Sequence, residues 1–244
     1  MRLFDFSLLV GADPYSPAEA TRDALVGYLD AVDAGGIVTS LAGLYYDFEE
    51  GNRETLEIVA CDRRLLAGFT IDPRRTGCAR IDLEAVAAEY RAIVLFASFM
   101  PGIVQGWSLS HPALPVIAQK ASAAGLPMVV YAARSGDVQA LARLALDVDV
   151  PVIALGVSYG AVGEVVAGAA GLGNLLFGVS LFAGLDNIET LAAHLGPERL
   201  VYNSGEPRFD HGPSLAMLEA AQLDAGSREF IAIGNARRIF GGKI

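Results

Sequence analysis

Apolar residues cluster in eight short unbroken runs, at 3–10, 36–43, 65–71, 92–99, 127–132, 151–157, 175–181 and 200–204. Longer stretches of mixed apolar and polar positions separate them. Unbroken runs of this length, rather than alternation, mark strands covered on both faces, as in a parallel sheet. The intervening stretches carry helix punctuation. Ser16-Pro17, with Glu19 at the capping-box position, opens the first; His111-Pro112 opens a later one; Gly35, Gly125 and Gly196 stand where helices should stop. Eight strand–helix repeats in 244 residues, undivided by any Pro/Ser-rich linker, predict one domain over residues 1–244. Its expected architecture is α/β, a single (β/α)8 TIM barrel of eight parallel strands with a C-terminal helix. A doubly wound open sheet is the alternative. In a barrel the chemistry belongs where the strands end, which directs attention to those positions.

Composition and charge narrow the partners. With 53% hydrophobic and 19% charged residues the chain can fill a large core, so disordered and fibrous classes drop out. Between residues 152 and 185 Glu164 is the only charged residue, a length that could cross a bilayer. Glycines at 156, 160, 163, 168, 171, 173, 178 and 184 interrupt it and no Lys/Arg cluster flanks it, so it reads as a buried strand, helix and strand and not as a membrane span. Lys+Arg total 18 against Asp+Glu 28, and the net charge of −10 has the wrong sign for nucleic acid. Cys61 and Cys78 are too few for a disulfide framework, and MRLFDFSLLVG lacks the long apolar core of a signal peptide, so a cytoplasmic location is expected.

One helix carries an expectation about partners. Residues 159–170, from Tyr159 to Ala170 (YGAVGEVVAGAA), hold only Glu164 as a charge, whereas the first helix shows Glu19, Arg22, Asp23 and Asp30. A helix apolar on every face is a covered helix, so this one is expected to lie under another subunit of a homo-oligomer or heteromer.

Five segments, taken in order, carry a likeness that spans nearly the whole chain: FDFSLLVG at 4–11; LYYDFEEGNRETLEIV at 44–59 with LLAGFTIDPR at 65–74; SLSHPALPVIAQKASAAGLPMVV at 108–130; LGPERLVYNSGEP at 195–207; and GNARRIFG at 234–241. Together they resemble the amidohydrolase superfamily, in its compact amidohydrolase-related (amidohydrolase 2) branch of metal-dependent TIM-barrel hydrolases. That resemblance implies a barrel with a divalent ion held by an Asp-x-His-x-His motif on the first strand and by further histidines and an aspartate on later ones. Here the motif reads Asp5-Phe6-Ser7-Leu8-Leu9, so Ser7 and Leu9 stand for the two histidines. Phe96, Tyr131 and Gly156 occupy the later ligand positions, and Ser204-Gly205-Glu206-Pro207 replaces Ser-Asp-x-Pro. Such ions need about three protein ligands and lower the pKa of bound water to about 7. Leucine and glycine donate nothing to a cation. The three histidines, His111, His194 and His211, sit elsewhere, so the expectation is no metal, no cofactor, and a pseudoenzyme acting as a structural or regulatory subunit.

Other chemistries are weighed beside it. Gly156-Val157-Ser158-Tyr159-Gly160 matches the G-x-S-x-G nucleophile elbow, with Asp186 or Asp210 as acid and His194 or His211 as base, though no HG-type oxyanion segment follows an early strand. A metal-independent hydrolase or lyase could use Asp5, Tyr131 or Glu206, with Ser158 as the serine candidate. The expected mouth also holds Ser40, Asp72, Ser98 and Asn203. Arg134 and Arg208 could clamp a small carboxylate-bearing ligand, or instead pair with Asp5, Asp72, Glu206 or Asp210. Tyr46 in the Tyr45-Tyr46-Asp47-Phe48 loop, with Phe99 and Trp107, suggests an aromatic rim. Leu9, Phe96 and Tyr131 could equally fill the old cavity, and a filled mouth binds nothing.

Overall fold

A computed structural model describes residues 2–16, 20–75, 80–99, 106–184, 186–241 and 244. Eight parallel strands follow one another around the sheet: β1 (Leu3–Val10), β2 (Ala34–Ser40), β3 (Leu65–Thr70), β4 (Ala92–Leu95), β5 (Met128–Tyr131), β6 (Val152–Leu155), β7 (Leu175–Gly178) and β8 (Leu200–Val201). Backbone bonds close the ring between the last and first strands. Phe6 donates to the Tyr202 carbonyl at 3.1 Å, Gly205 to Ser7 at 2.8 Å and Leu9 to Glu206 at 2.7 Å. The sequential order excludes the doubly wound sheet, whose strand order reverses at a switch point. The (β/α)8 barrel is the fold.

Helices clothe the strands: α1 (Arg22–Ala31), α2 (Ala42–Tyr45), α3 (Phe48–Val59), α4 (Leu83–Val86), α5 (Leu114–Ala123), α6 (Asp137–Leu146), α7 (Val162–Gly168) and α8 (Asn187–Leu195), then α9 (Gly212–Ala220), α10 (Ala225–Glu229) and the C-terminal α11 (Asn235–Phe240). Their starts show where local chemistry overrode the sequence reading. Thr21 caps α1 by accepting from the Ala24 N–H at 3.1 Å; Pro17 and Glu19 of the expected start lie outside the described residues. His111-Pro112 forms a turn before α5, with His111 Nδ1 accepting from Ala113 N–H at 3.2 Å. Gly125 and Gly196 end helices at φ +66° and +89°, as expected of residues without a Cβ. Gly35 does not: it lies inside β2, and Asp33 at φ +49° makes the turn instead.

The core has two layers, as parallel strands covered on both faces require. Inside the barrel Phe4, Phe6, Leu9, Ile37, Val94, Phe96, Tyr131, Ile153 and Leu155 form one buried cluster. Between strands and helices a larger cluster includes Leu3, Leu8, Val10, Leu25, Tyr28, Leu29, Phe177 and Tyr202. On β1 the alternation breaks once, because the register with β2 shifts between Asp5 and Leu8. That irregularity decides where the Asp of the first motif goes. The apolar stretch 152–185 resolves into β6, the short α7 and β7, and among the described residues no helix is long and apolar enough to cross a membrane.

Candidate ligand site at the barrel mouth

Residues beyond the carboxyl ends of the strands enclose a cavity of about 380 Å³. Hydroxyls dominate its polar wall: Ser7 from β1, Ser98 after β4, Tyr131 at the end of β5, Ser180 after β7, Ser204 after β8 and Ser214 from α9. Asn203 adds an amide, and Phe99, Leu181, Phe209 and Pro213 supply apolar surface. The mouth is therefore partly filled and not sealed. Leu9 and Phe96 are packed into the inner core, with the Phe96 ring stacked on Tyr131 at 4.8 Å and 12°. The remaining space lies toward β7 and β8. Gly178 makes room there: a Cβ on it would stand 2.3 Å from Asn203 Oδ1.

The polar lining is organised by mutual bonds. Ser7 Oγ and Tyr131 Oη share a hydrogen bond of 2.6 Å across the barrel. Burial raises the Tyr131 phenol well above its ordinary value, so it stays protonated. Asn203 accepts from the Ser180 N–H at 3.2 Å and donates to Ser180 Oγ at 2.8 Å. Ser98 Oγ donates to Asp137 at 2.8 Å and accepts from the Ala133 N–H at 2.6 Å.

Asp5 does not face the cavity. Fully buried, it turns toward the helix layer and accepts from Tyr28 Oη at 2.9 Å, Ser7 N–H at 2.9 Å, Ser204 N–H at 3.0 Å and Ser204 Oγ. Burial raises its pKa to about 6, against the pull of those four donors. It ties β1, α1 and the segment after β8 together, and it holds two residues of the cavity wall, Ser7 through its N–H and Ser204 through both N–H and hydroxyl.

The other expected site residues scatter. Glu206 turns aside to His211, accepting from its backbone N–H at 2.8 Å with Nδ1 at 2.6 Å, and does not line the cavity. Arg208 pairs with Asp13 and covers the Phe209 ring at 4.6 Å, so the expected pairing with Asp5, Glu206 or Asp210 is replaced by a partner far away in sequence. Asp72 pairs with Arg74 at 2.8 Å. Arg134 lines a separate cleft of about 160 Å³ with Ser158 and Glu164, and donates to the Trp107 carbonyl at 3.5 Å. A carboxylate clamp of Arg134 and Arg208 is thus not assembled at the mouth. Tyr46, exposed, borders another cleft with Asp72 and Arg74 rather than the mouth, and Trp107 is buried against Ala97; of the expected aromatic rim only Phe99 lines the cavity.

Ser158 is not an elbow nucleophile. Its φ of −96° and ψ of 169° are ordinary extended backbone, where the elbow holds its serine on a strained turn. No histidine attends it: His194 Nδ1 bonds Thr190 O at 2.8 Å, His211 bonds Glu206, and His111 caps its own turn.

The positions that the family resemblance assigns to a metal hold Ser7, Leu9, Phe96, Tyr131 and Gly156. The two hydroxyls bond each other, and both Asp5 oxygens are already engaged. This donor set does not fit zinc or a similar ion, which is bound by imidazoles, thiolates or free carboxylates. Among the described residues one group has ligand-type atoms within 4.8 Å of one another, Glu206, Asp210 and His211, in the loop between β8 and α9. Its Glu206 and His211 already satisfy each other.

Sequence reasoning missed Ser180, Ser214, Leu181, Phe209 and Pro213. Ser180 and Leu181 carried the one usable signal, their place at the carboxyl end of the apolar run 175–181.

No family model matches the chain, and no curated protein matches it. Solved structures do. Amidohydrolase 2 from Bifidobacterium longum subsp. infantis is 18% identical with a TM-score of 0.68, covering 98% of each chain. The 2,6-dihydroxybenzoate decarboxylase from Rhizobium is 13% identical with a TM-score of 0.71, covering 98% of each chain. An uncharacterized TIM-barrel protein from Bordetella bronchiseptica is 13% identical with a TM-score of 0.75, covering 100% of this chain and 99% of its own. The class that the fold defines is the (β/α)8 TIM barrel. At these identities the likeness establishes that fold, and the activity has to be argued from the site.

Proposed function

We propose that this chain is a non-hydrolytic, amidohydrolase-like barrel that holds a small molecule at the carboxyl ends of its strands, without a catalytic metal, and serves as a binding or regulatory subunit. The observation that carries the reading is the cavity of about 380 Å³, lined by hydroxyls where the resemblance assigns metal ligands. A space of that size suits a one- or two-ring ligand. The test has two arms. Plasma mass spectrometry of the purified protein should find no stoichiometric zinc, manganese or iron, and a ligand-observed NMR fragment screen should find binders that Ala133→Phe, which places a ring in the cavity, displaces. Stoichiometric metal, or fragments indifferent to that ring, would overturn it.

A second reading, a metal-independent hydrolase or lyase, is favoured by one observation: Ser204 lines the cavity while its hydroxyl donates to a carboxylate whose pKa is raised by burial to about 6. An ionised Asp5 could take a proton from Ser204.

Self-association belongs to the same proposal. On α7 and the turn before it, Gly163, Ala167 and Tyr159 face outward, while Glu164 turns toward the start of α6, within 3.4 Å of the Gln139 N–H and 3.5 Å of the Gly136 N–H. Two copies that each carry −10 approach with least repulsion through an uncharged face, so the occupant is a second copy. Light scattering should give a multiple of 25.6 kDa that Gly163→Glu reduces to the monomer mass; a monomer at micromolar concentration from the start rejects it.

A further inference from the structure

We infer that the ligand of the mouth cavity is a neutral, hydroxylated aromatic molecule and not a carboxylate. The inference rests on the cavity reading above and sharpens it. Among the described residues no Lys or Arg lines the space, and Asp210 is the one charged side chain on its wall. Behind the wall stands Asp5, and the nearest guanidinium candidates are committed elsewhere, Arg208 to Asp13 and Phe209, Arg134 to a different cleft. An entering carboxylate would lose water without gaining a counter-charge, and would meet Asp210 instead.

What the wall offers is neutral hydrogen bonding beside aromatic surface. The Ser7–Tyr131 pair needs only one of its two hydroxyl protons for its mutual bond, so one proton is left for a guest. Ser180 Oγ accepts from Asn203, which leaves its own proton free to donate. Phe99 meets Tyr131 edge-on at 5.1 Å and lies 6.1 Å from Phe209, so the three rings touch and form one continuous aromatic wall against which a planar guest can pack. Hydroxyls that donate to the guest's oxygens, beside an aromatic wall that packs on its ring, are complementary to a phenol or polyphenol.

The experiment uses two probes that differ by one carboxylate, resorcinol and 3,5-dihydroxybenzoate, titrated calorimetrically into the full-length protein near neutral pH. Resorcinol is expected to bind, and 3,5-dihydroxybenzoate to bind at least about tenfold more weakly, a difference equivalent to about 1.4 kcal/mol. Ala133→Phe should abolish resorcinol binding, with circular dichroism checking the fold; if that variant does not fold, Ser180→Leu places bulk in the same cavity from the segment after β7. Equal or tighter binding of 3,5-dihydroxybenzoate, lost in Ala133→Phe, overturns the neutral-ligand inference while the cavity reading stands. Resorcinol bound equally well by both blocked variants overturns both. Silence from both probes overturns the inference and leaves the cavity reading to the fragment screen.

Discussion

Asp5, at the β1–β8 seam behind the mouth, is a fully buried carboxylate, and Asp62, in the turn before β3 at the opposite end of the barrel, is a part-buried one; both are held by several hydrogen bonds. Their partners differ. Asp5 has only neutral donors, and burial lifts its pKa to about 6. Asp62 takes two charge-assisted bonds from Arg64, at 3.0 Å from Nε and 2.6 Å from Nη2, which hold its carboxyl below the usual carboxylate range. Arg64 reaches on to Asp30 at 2.7 Å. Where the chain has only to fix a turn, it uses opposite charges. Where it keeps a cavity, it surrounds a carboxyl with hydroxyls and peptide groups, and among the described residues no Lys or Arg lines that cavity.

The comparison breaks most directly at Asp5. Its folded pKa of about 6 exceeds the unfolded value of about 3.9, so the folded state binds the extra proton in the interval between them. Stability from this group is therefore greatest below about pH 4 and is lost as pH rises through 6, a difference of about 3 kcal/mol for two pKa steps. Asp5→Asn keeps the shape and removes the charge. Urea unfolding of the variant should lack this fall between about pH 4 and pH 7, and at neutral pH the variant should be the more stable by up to about 3 kcal/mol. A variant destabilised equally across that range would show that the carboxylate stabilises the seam even when ionised.

How far the sequence could reveal this depends on what each signal measures. The run at 3–10 coincides with β1, but the run at 92–99 outlasts β4, which ends at Leu95, because Phe96 and Ala97 stay buried after the ladder stops. Apolar runs report burial, and burial continues past the hydrogen bonds. Ser7 and Tyr131 were legible as mouth residues from the positions that the family resemblance assigns to metal ligands, and their hydroxyls meet. Asp5 was misplaced beside them, since the irregularity between Asp5 and Leu8 breaks the two-residue alternation and leaves Asp5 outside. Arg208 finds Asp13 across 195 positions, and Phe209, Pro213 and Ser214 reach the cavity through the path of the β8–α9 loop. Neither leaves a periodic or spacing signal in the chain.

A smaller effect sharpens the contrast from the other end. Arg64→Met keeps much of the aliphatic stem, which is only about a quarter exposed, and deletes the bonds to Asp62 and Asp30. Bonds of this kind, partly wetted, contribute about 1–2 kcal/mol together at neutral pH. Because Asp62 is held below its unfolded pKa, that contribution is present above about pH 4 and disappears as pH falls through the lowered folded value. Urea melts of Arg64→Met and the parent should therefore differ near neutral pH and converge in acid, the reverse of the trend expected for Asp5. A gap that persists unchanged at low pH would mean that the arginine acts through its stem and not its charge. Asp5 and Arg64 share no hydrogen-bonding partner, so the double variant should show the sum of the two profiles within about 0.5 kcal/mol. Resorcinol affinity should not follow Arg64→Met, because a guanidinium at the amino end of the barrel contributes nothing to the field in the cavity once it is paired and screened.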